Sequence, residues 1–148
     1  MKHCLLALTL LIAGLAHASG YLESTSPHDV DTTMQRLQQA AENKGLQIFS
    51  LVDHAAGAHS AGMDLAPNKV LIFGNPKLGT LLMKQNPAIG VDLPLKISVW
   101  QDAQGHTRVT YRDIQSLAGA HGLERQLKPV QQARGVLAGL VQQAIAAD

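Results

Sequence analysis

Cysteine is almost absent from this chain of 148 residues, which contains one, Cys4, near the amino end. A single cysteine excludes a disulfide within the chain and a zinc site built from several thiolates. Aromatic residues are also scarce, at 3% of the chain. The core of such a protein has to be built from the aliphatic side chains of Leu, Val, Ile, Ala and Met.

Neither sign of charge is in excess, because 12 Lys and Arg stand against 11 Asp and Glu. The basic residues form no block or stripe along the sequence. A balanced charge without a basic patch is not typical of proteins that bind nucleic acid. It also provides no electrostatic attraction to an anionic membrane surface. We therefore expect no nucleic-acid partner.

A long hydrophobic run occurs only at the amino end. The uncharged segment Cys4–Ala16 follows Lys2 and His3, and Ala16-His17-Ala18 places small residues where a signal peptidase cleaves. The run has about 13 residues, fewer than the ~20 that span a bilayer as a helix. We predict a signal peptide over residues 1–18 and a periplasmic or secreted mature domain. Cleavage removes Cys4 and leaves no stable membrane anchor; an uncleaved anchor is the alternative.

Residues 19–148 are predicted to form a single α+β domain. Apolar spacing and turn residues indicate a two-layer fold, in which four to five strands form a largely antiparallel sheet with helices on one face. The predicted strands cover about 21–24, 46–52, 70–73, 95–101 and 107–111. The predicted helices cover about 29–44, 75–85, 113–122 and 129–147, with a further short helix within 55–68.

An ordered set of short motifs resembles the domain-of-unknown-function 302 family over about residues 26–125. The motifs are Asp53-His54, Leu71-Ile72-Phe73-Gly74-Asn75-Pro76-Lys77 followed by Gly79-Thr80 and Leu82-Met83, Asp92-Leu93-Pro94-Leu95-Lys96, Trp100 with Asp102, Tyr111 with Asp113, and His121-Gly122-Leu123. The resemblance implies a small α+β domain, and some members resemble domains that pair, so a homodimer is one expected partner. It brings no reaction, cofactor or substrate. Leu81 stands where many relatives have Pro, and Ala120 where an Arg often precedes the His.

The segment from Gly74 to Thr80 joins a predicted buried strand to the start of a helix. Helix N-termini favour anions, and Lys77 adds a positive charge there. Gly79 costs about 1 kcal/mol in helix propensity relative to Ala, which indicates close packing or the close approach of a ligand. A small anion or carboxylate is the expected ligand, and a well-capped helix with a packing glycine is the alternative. The candidate ligand-binding residues here are Gly74, Asn75, Lys77, Gly79 and Thr80.

Three further candidates for ligand binding lie beyond this segment. Asp92 and Lys96 are opposite charges four residues apart around a proline. They either enter the cleft beside Lys77 or form a surface ion pair. Tyr111 is the third candidate, and the hairpin pattern predicts that it lies across from Trp100.

His54 is the candidate catalytic residue, because a histidine at a strand end can act as a general base near neutral pH. Asp92 or Tyr111 are its candidate partners, and a hydrogen bond to the backbone is the non-catalytic alternative. The spacing of His54 and His59 matches no metal-binding motif, so no metal site is predicted. Three hypotheses remain: a non-enzymatic domain that binds a small ligand or a partner protein, an envelope enzyme that uses His54, and a metal- or haem-associated protein built from gathered histidines.

Overall fold

The computed structural model describes residues 20–147, so the predicted signal peptide lies outside the described residues. Within this range the chain forms five strands: β1 (Tyr21–Ser26), β2 (Gln47–Asp53), β3 (Asn68–Gly74), β4 (Leu95–Gln101) and β5 (Thr107–Arg112). The helices are α1 (Val30–Asn43), α2 (His54–Ser60), α3 (Pro76–Gln85), α4 (Ile114–Ala120) and α5 (Lys128–Ile145), with a 3₁₀ helix at Pro87–Asp92. None of the helices within residues 20–147 is long and apolar enough to cross a membrane.

The five strands form one sheet in the order β1-β5-β4-β3-β2, and every neighbouring pair is antiparallel. The α+β prediction is therefore confirmed. Gln47 lies opposite Gly74, and Phe73 lies opposite Leu95. The start of β2, the end of β3 and the start of β4 consequently meet at one end of the sheet, which we call the α3 end because α3 begins there.

The core lies between one face of the sheet and the helices. From the sheet, Leu71, Phe73, Ile97, Val99 and Val109 are almost fully buried, and they join buried residues of α1, α4 and α5 in one cluster. Phe73 is the one aromatic side chain in this buried set. The core is aliphatic, as the composition predicts, and its stability rests on the burial of many Leu, Val, Ile and Ala side chains.

Local capping explains where the helices begin and end. The side chain of Asp29 accepts a hydrogen bond from the Thr32 amide and caps α1, and Asp113 caps α4 in the same way. Gly45 follows α1 with a φ of +67°, a left-handed conformation that glycine adopts without strain. These caps are properties of neighbouring residues, which is why the sequence predicts them.

Trp100 and Tyr111 lie on opposite faces of the sheet, so the prediction that they are cross-strand neighbours is wrong. Trp100 is opposite Arg108, and Tyr111 is opposite Ile97 on the core face. Side chains alternate between the two faces along a strand. Tyr111 lies an odd number of residues beyond Arg108, so its side chain is on the face opposite to that of Arg108 and Trp100. On the second face the Trp100 Nε1 donates a hydrogen bond to the Thr110 hydroxyl, at 2.9 Å.

Candidate functional site

The first turn of α3 is capped by Asn75, which directly follows β3. Its Oδ1 accepts hydrogen bonds from the amides of Lys77 and Leu78, and its carbonyl accepts one from Gly79. The Thr80 hydroxyl donates to the Pro76 carbonyl at 2.8 Å. The amides of this turn are therefore already engaged, as in the well-capped alternative. The charge of Lys77, and not a set of free amides, is what this segment offers to an anion.

An apolar cleft of about 390 Å³ opens at the α3 end of the sheet. It lies between α3, the 3₁₀ helix and the strand ends, and Ala133 of α5 contributes to its lining. The larger apolar side chains that line it are Phe49, Leu78, Leu82, Met83, Leu93 and Leu95. Phe49 and Met83 keep 48% and 37% of their surface exposed. A ligand in this apolar cleft would therefore remove large apolar side chains from water.

Gly79 lies at the wall of the apolar cleft, where any other residue would add a side chain. A Cβ atom added at this position would lie 3.8 Å from Cδ1 of Leu93, which is an ordinary van der Waals contact. Its backbone has no positive φ angle, so glycine is not required there by the conformation of the chain. Gly79 thus lines the cleft without a side chain of its own, at the cost in helix propensity that the sequence predicts.

A second groove, of about 660 Å³, lies beside the first turn of α3 and contains three lysines. Lys44 follows α1, Lys77 is in the first turn of α3, and Lys128 begins α5. We call this the lysine groove. Within residues 20–147 no acidic residue lines it, and none of the three ammonium groups pairs with a carboxylate. Lys69, by contrast, lies 2.6 Å from Asp31 and 3.4 Å from Asp53.

The two cavities adjoin each other, because Asn75 and Leu78 line both of them. Helix α5 also contributes to both, through Ala133 on one side and Gln132 and Val136 on the other. The structure thus brings Gly74, Asn75, Lys77, Gly79 and Thr80 together around adjoining cavities. No sequence motif connects Lys44 and Lys128 to Lys77, so their position beside Lys77 is evident only from the fold.

Asp92 is part of a different cluster. Its Oδ2 accepts a hydrogen bond from Nε2 of His121 at 2.6 Å, and its Oδ1 accepts one from Arg112 at 3.0 Å. The hydrogen bond from His121 lowers the pKa of Asp92 below its ordinary value and outweighs the opposing effect of burial, while the charge of Arg112 lowers it further. We call these three residues the Asp92 cluster.

Lys96 does not pair with Asp92 as the surface-ion-pair alternative predicts. Its ammonium donates a hydrogen bond to the Pro94 carbonyl at 2.9 Å. Neither Lys96 nor Asp92 is among the residues that line the lysine groove. Arg112 and His121 take the place of Lys96 because the fold brings their elements against the end of the 3₁₀ helix.

Tyr111 also lies apart from the lysine groove. It packs against the core cluster on the helical face of the sheet, and burial raises the pKa of its phenol, with the nearby charge of Asp113 acting in the same direction. Tyr111 lines neither the apolar cleft nor the lysine groove. Its position is that of a partly buried packing residue.

His54 lies at the end of the sheet opposite to Lys77. It follows Asp53, which is opposite Lys69, whereas the α3 end of β2 is marked by Gln47 opposite Gly74. Six strand residues, or roughly 20 Å, separate these two positions. His54 is exposed, and the side chain of Asp53 caps α2 by accepting a hydrogen bond from the Ala56 amide. The structure therefore does not bring His54 to Lys77 or to Asp92.

Within residues 20–147 no three His, Cys, Asp or Glu side chains gather in a way that could hold a metal ion. His28 is placed by a hydrogen bond between its Nε2 and the Ala146 carbonyl at 2.8 Å. His59 and His106 are exposed. His121, with 14% of its side chain exposed, is held by Asp92, so the described histidines do not share one site.

The antiparallel sheet, the helices on its core face and the two adjoining cavities define a small α+β domain. The chain matches the family described as "Domain of unknown function DUF302" over residues 22–144, and it belongs to that family. It is also similar to a crystal structure of an uncharacterised conserved DUF302 protein from Bacillus stearothermophilus. The TM-score is 0.77 at 19% sequence identity, over 86% of this chain and 99% of the other, which establishes a shared fold.

Curated relatives include proteins named "Fluoride-specific ion channel FluC 1" from Brucella suis and from Brucella abortus. Each is 41% identical to this chain over 105 residues. The match covers 71% of this chain but 41% and 39% of those two proteins. The chain thus spans about two-fifths of the length of these curated relatives.

Proposed function

We propose that this protein is an exported domain that binds a small, negatively charged ligand in the lysine groove. The observation that carries the proposal is that Lys44, Lys77 and Lys128, three lysines from separate elements, line one groove and pair with no carboxylate in the described part of the chain. Export rests on the sequence of residues 1–18 alone. The proposal assigns binding, and no chemical step, to the groove.

Charge is the physical basis of this binding. Three lysines line one groove without a facing carboxylate in the described part of the chain, so the groove is positively charged and attracts an anion. The lysines are exposed to solvent, so each contact with an anion contributes at most about 1 kcal/mol. Charge alone therefore predicts weak binding. It also predicts a strong dependence on salt, because exposed charges are screened over about 10 Å at 0.1 M ionic strength.

Titration of the protein with butanoate, followed by NMR chemical shifts, tests the proposal. We expect shifts to concentrate at residues around the groove, and we expect Lys77→Ala to weaken binding several-fold. Lys84→Ala is the matched control, because Lys84 lies on the same helix but does not line the groove. Equal losses in the two variants would show that only net charge matters and would overturn the groove as the binding site.

Fluoride belongs among the anions that are titrated, because the curated relatives carry the name of fluoride-specific ion channels. The matched region is a minor part of those proteins, and their channel activity is not carried over to this chain. Binding of fluoride that depends on Lys77 and not on Lys84 would support an anion site in the groove. Equal dependence on both lysines would count against it.

A further inference from the structure

We propose that the ligand is amphiphilic, namely a linear aliphatic carboxylate that places its acidic group in the lysine groove and its chain in the apolar cleft. This inference rests on the proposed function and adds the chemical class of the ligand. Its basis is the adjacency of an apolar cleft and a groove that carries three lysines, which share Asn75 and Leu78 as lining residues.

The apolar cleft favours a hydrocarbon chain over a polar ligand. Its lining is dominated by Leu, Met, Phe and Pro side chains, and its few polar residues include Asn75 and Thr80. Both of these already make hydrogen bonds within α3. A polar group entering the cleft would lose its hydrogen bonds to water with few partners to replace them, whereas a hydrocarbon chain loses none.

The size of the cleft agrees with a small-molecule site, since such sites occupy about 300 to 1,000 Å³ and this one is about 390 Å³. Each methylene group that becomes fully buried is expected to tighten binding by about fourfold. The hydrocarbon chain of the ligand thus supplies the binding affinity that contacts with exposed lysines lack. Affinity should rise with chain length until the cleft is filled and should then level off.

Gly79 provides the position at which the cleft can be closed. A leucine there would begin in contact with Leu93 and add its bulk at a point where both residues line the cleft. Leucine is a better helix former than glycine, so the variant is expected to fold. Gly79→Met, another favourable helix residue, is a second variant that fills the cleft. Gly57→Leu on α2 is the matched control, because a Cβ at Gly57 meets no heavy atom within 4 Å.

The experiment measures the Kd of butanoate and of decanoate by calorimetry for the wild-type protein, Gly79→Leu, Gly79→Met, Gly57→Leu and Lys77→Ala. For the wild type we expect decanoate to bind at least about 100-fold more tightly than butanoate. The two Gly79 variants should lose most of that advantage and keep the Kd of butanoate within about twofold. Gly57→Leu should retain the advantage, and Lys77→Ala should weaken both ligands.

The outcomes separate this inference from the proposed function. Binding that requires Lys77 but is the same for both chain lengths would overturn the amphiphilic ligand and leave the anion site standing. Binding of decanoate that is blocked at Gly79 but unaffected by Lys77→Ala would overturn both, because the ligand would then be held without its charge. If both Gly79 variants fold and still bind decanoate as much more tightly than butanoate as the wild type does, the hydrocarbon chain does not enter the apolar cleft.

Discussion

Nε2 of His121 lies 2.6 Å from Oδ2 of Asp92, although the two residues are 29 positions apart in the chain. Asp92 ends the 3₁₀ helix, His121 caps the end of α4, and Arg112 at the end of β5 completes the cluster. Gly90 and Leu93, on either side of Asp92, line the apolar cleft. The Asp92 cluster therefore holds one wall of the cleft against the rest of the domain.

Replacing Asp92 with asparagine should destabilise the fold. The substitution keeps the shape of the side chain but removes the negative charge of the carboxylate, whose oxygens accept hydrogen bonds from His121 and Arg112. Since hydrogen bonds to a charged group are stronger than neutral ones, we expect a loss of about 1 to 2 kcal/mol. Urea unfolding provides the measurement. Asp64→Asn, at an exposed loop residue, is the control, and an equal loss there would contradict a specific role for Asp92.

The contribution of Asp92 should disappear in acid. Its pKa is lowered in the folded state, chiefly by the hydrogen bond from His121, so its stabilisation is present above the pKa of the unfolded chain, near 4. It is lost as the pH falls from there through the lower folded value. The difference in melting temperature between the wild type and Asp92→Asn should be largest at neutral pH and shrink below about pH 4. A difference independent of pH would argue that packing, not charge, causes it.

Asn75 should act mainly as the cap of α3. Asn75→Ala removes the oxygen that accepts from the amides of Lys77 and Leu78, and we expect a loss of about 1 kcal/mol in unfolding free energy. Asn75→Asp keeps a capping oxygen and should remain within a few tenths of a kcal/mol of the wild type. Thermal denaturation of the three proteins checks this, and a similar loss in both variants would contradict the capping role.

The predicted export signal has a direct test. If the signal peptide is cleaved after Ala18, the intact mass of the protein recovered from outside the cytoplasm should correspond to a chain that begins at Ser19. Small residues are required near the cleavage point, so Ala18→Asp should block processing and leave the longer form. Recovery of the wild-type protein with residues 1–18 still attached would contradict cleavage.

Local features of the fold were predictable from the sequence, and the contacts between distant segments were not. The end of α3 at Gln85, its Asn75 cap and the end of α1 before Gly45 follow from residues within one or two turns. The Asp92 cluster joins residues 20 and 29 positions apart, and the lysine groove joins three elements of the chain. Such sets depend on how the helices pack, which no local pattern encodes.

The wrong prediction that Trp100 and Tyr111 are cross-strand neighbours shows a related limit of prediction from sequence. Both strands of the hairpin were predicted, but a shift of one residue in their register moves a side chain to the other face of the sheet. The loop, in which Asp102 accepts hydrogen bonds from the amides of Gln104 and His106, sets that register. The sequence thus predicts where the strands lie, but it does not predict which residues face each other across them.

Trp100 is the one tryptophan of the chain, and it lies on the second face of the sheet, away from the core cluster. Its fluorescence therefore reports on the environment of that face of the sheet. A ligand in the apolar cleft or the lysine groove should leave its emission wavelength unchanged. A blue shift with rising protein concentration would instead indicate that a second copy of the chain covers this face, so the emission of one residue distinguishes the two kinds of partner.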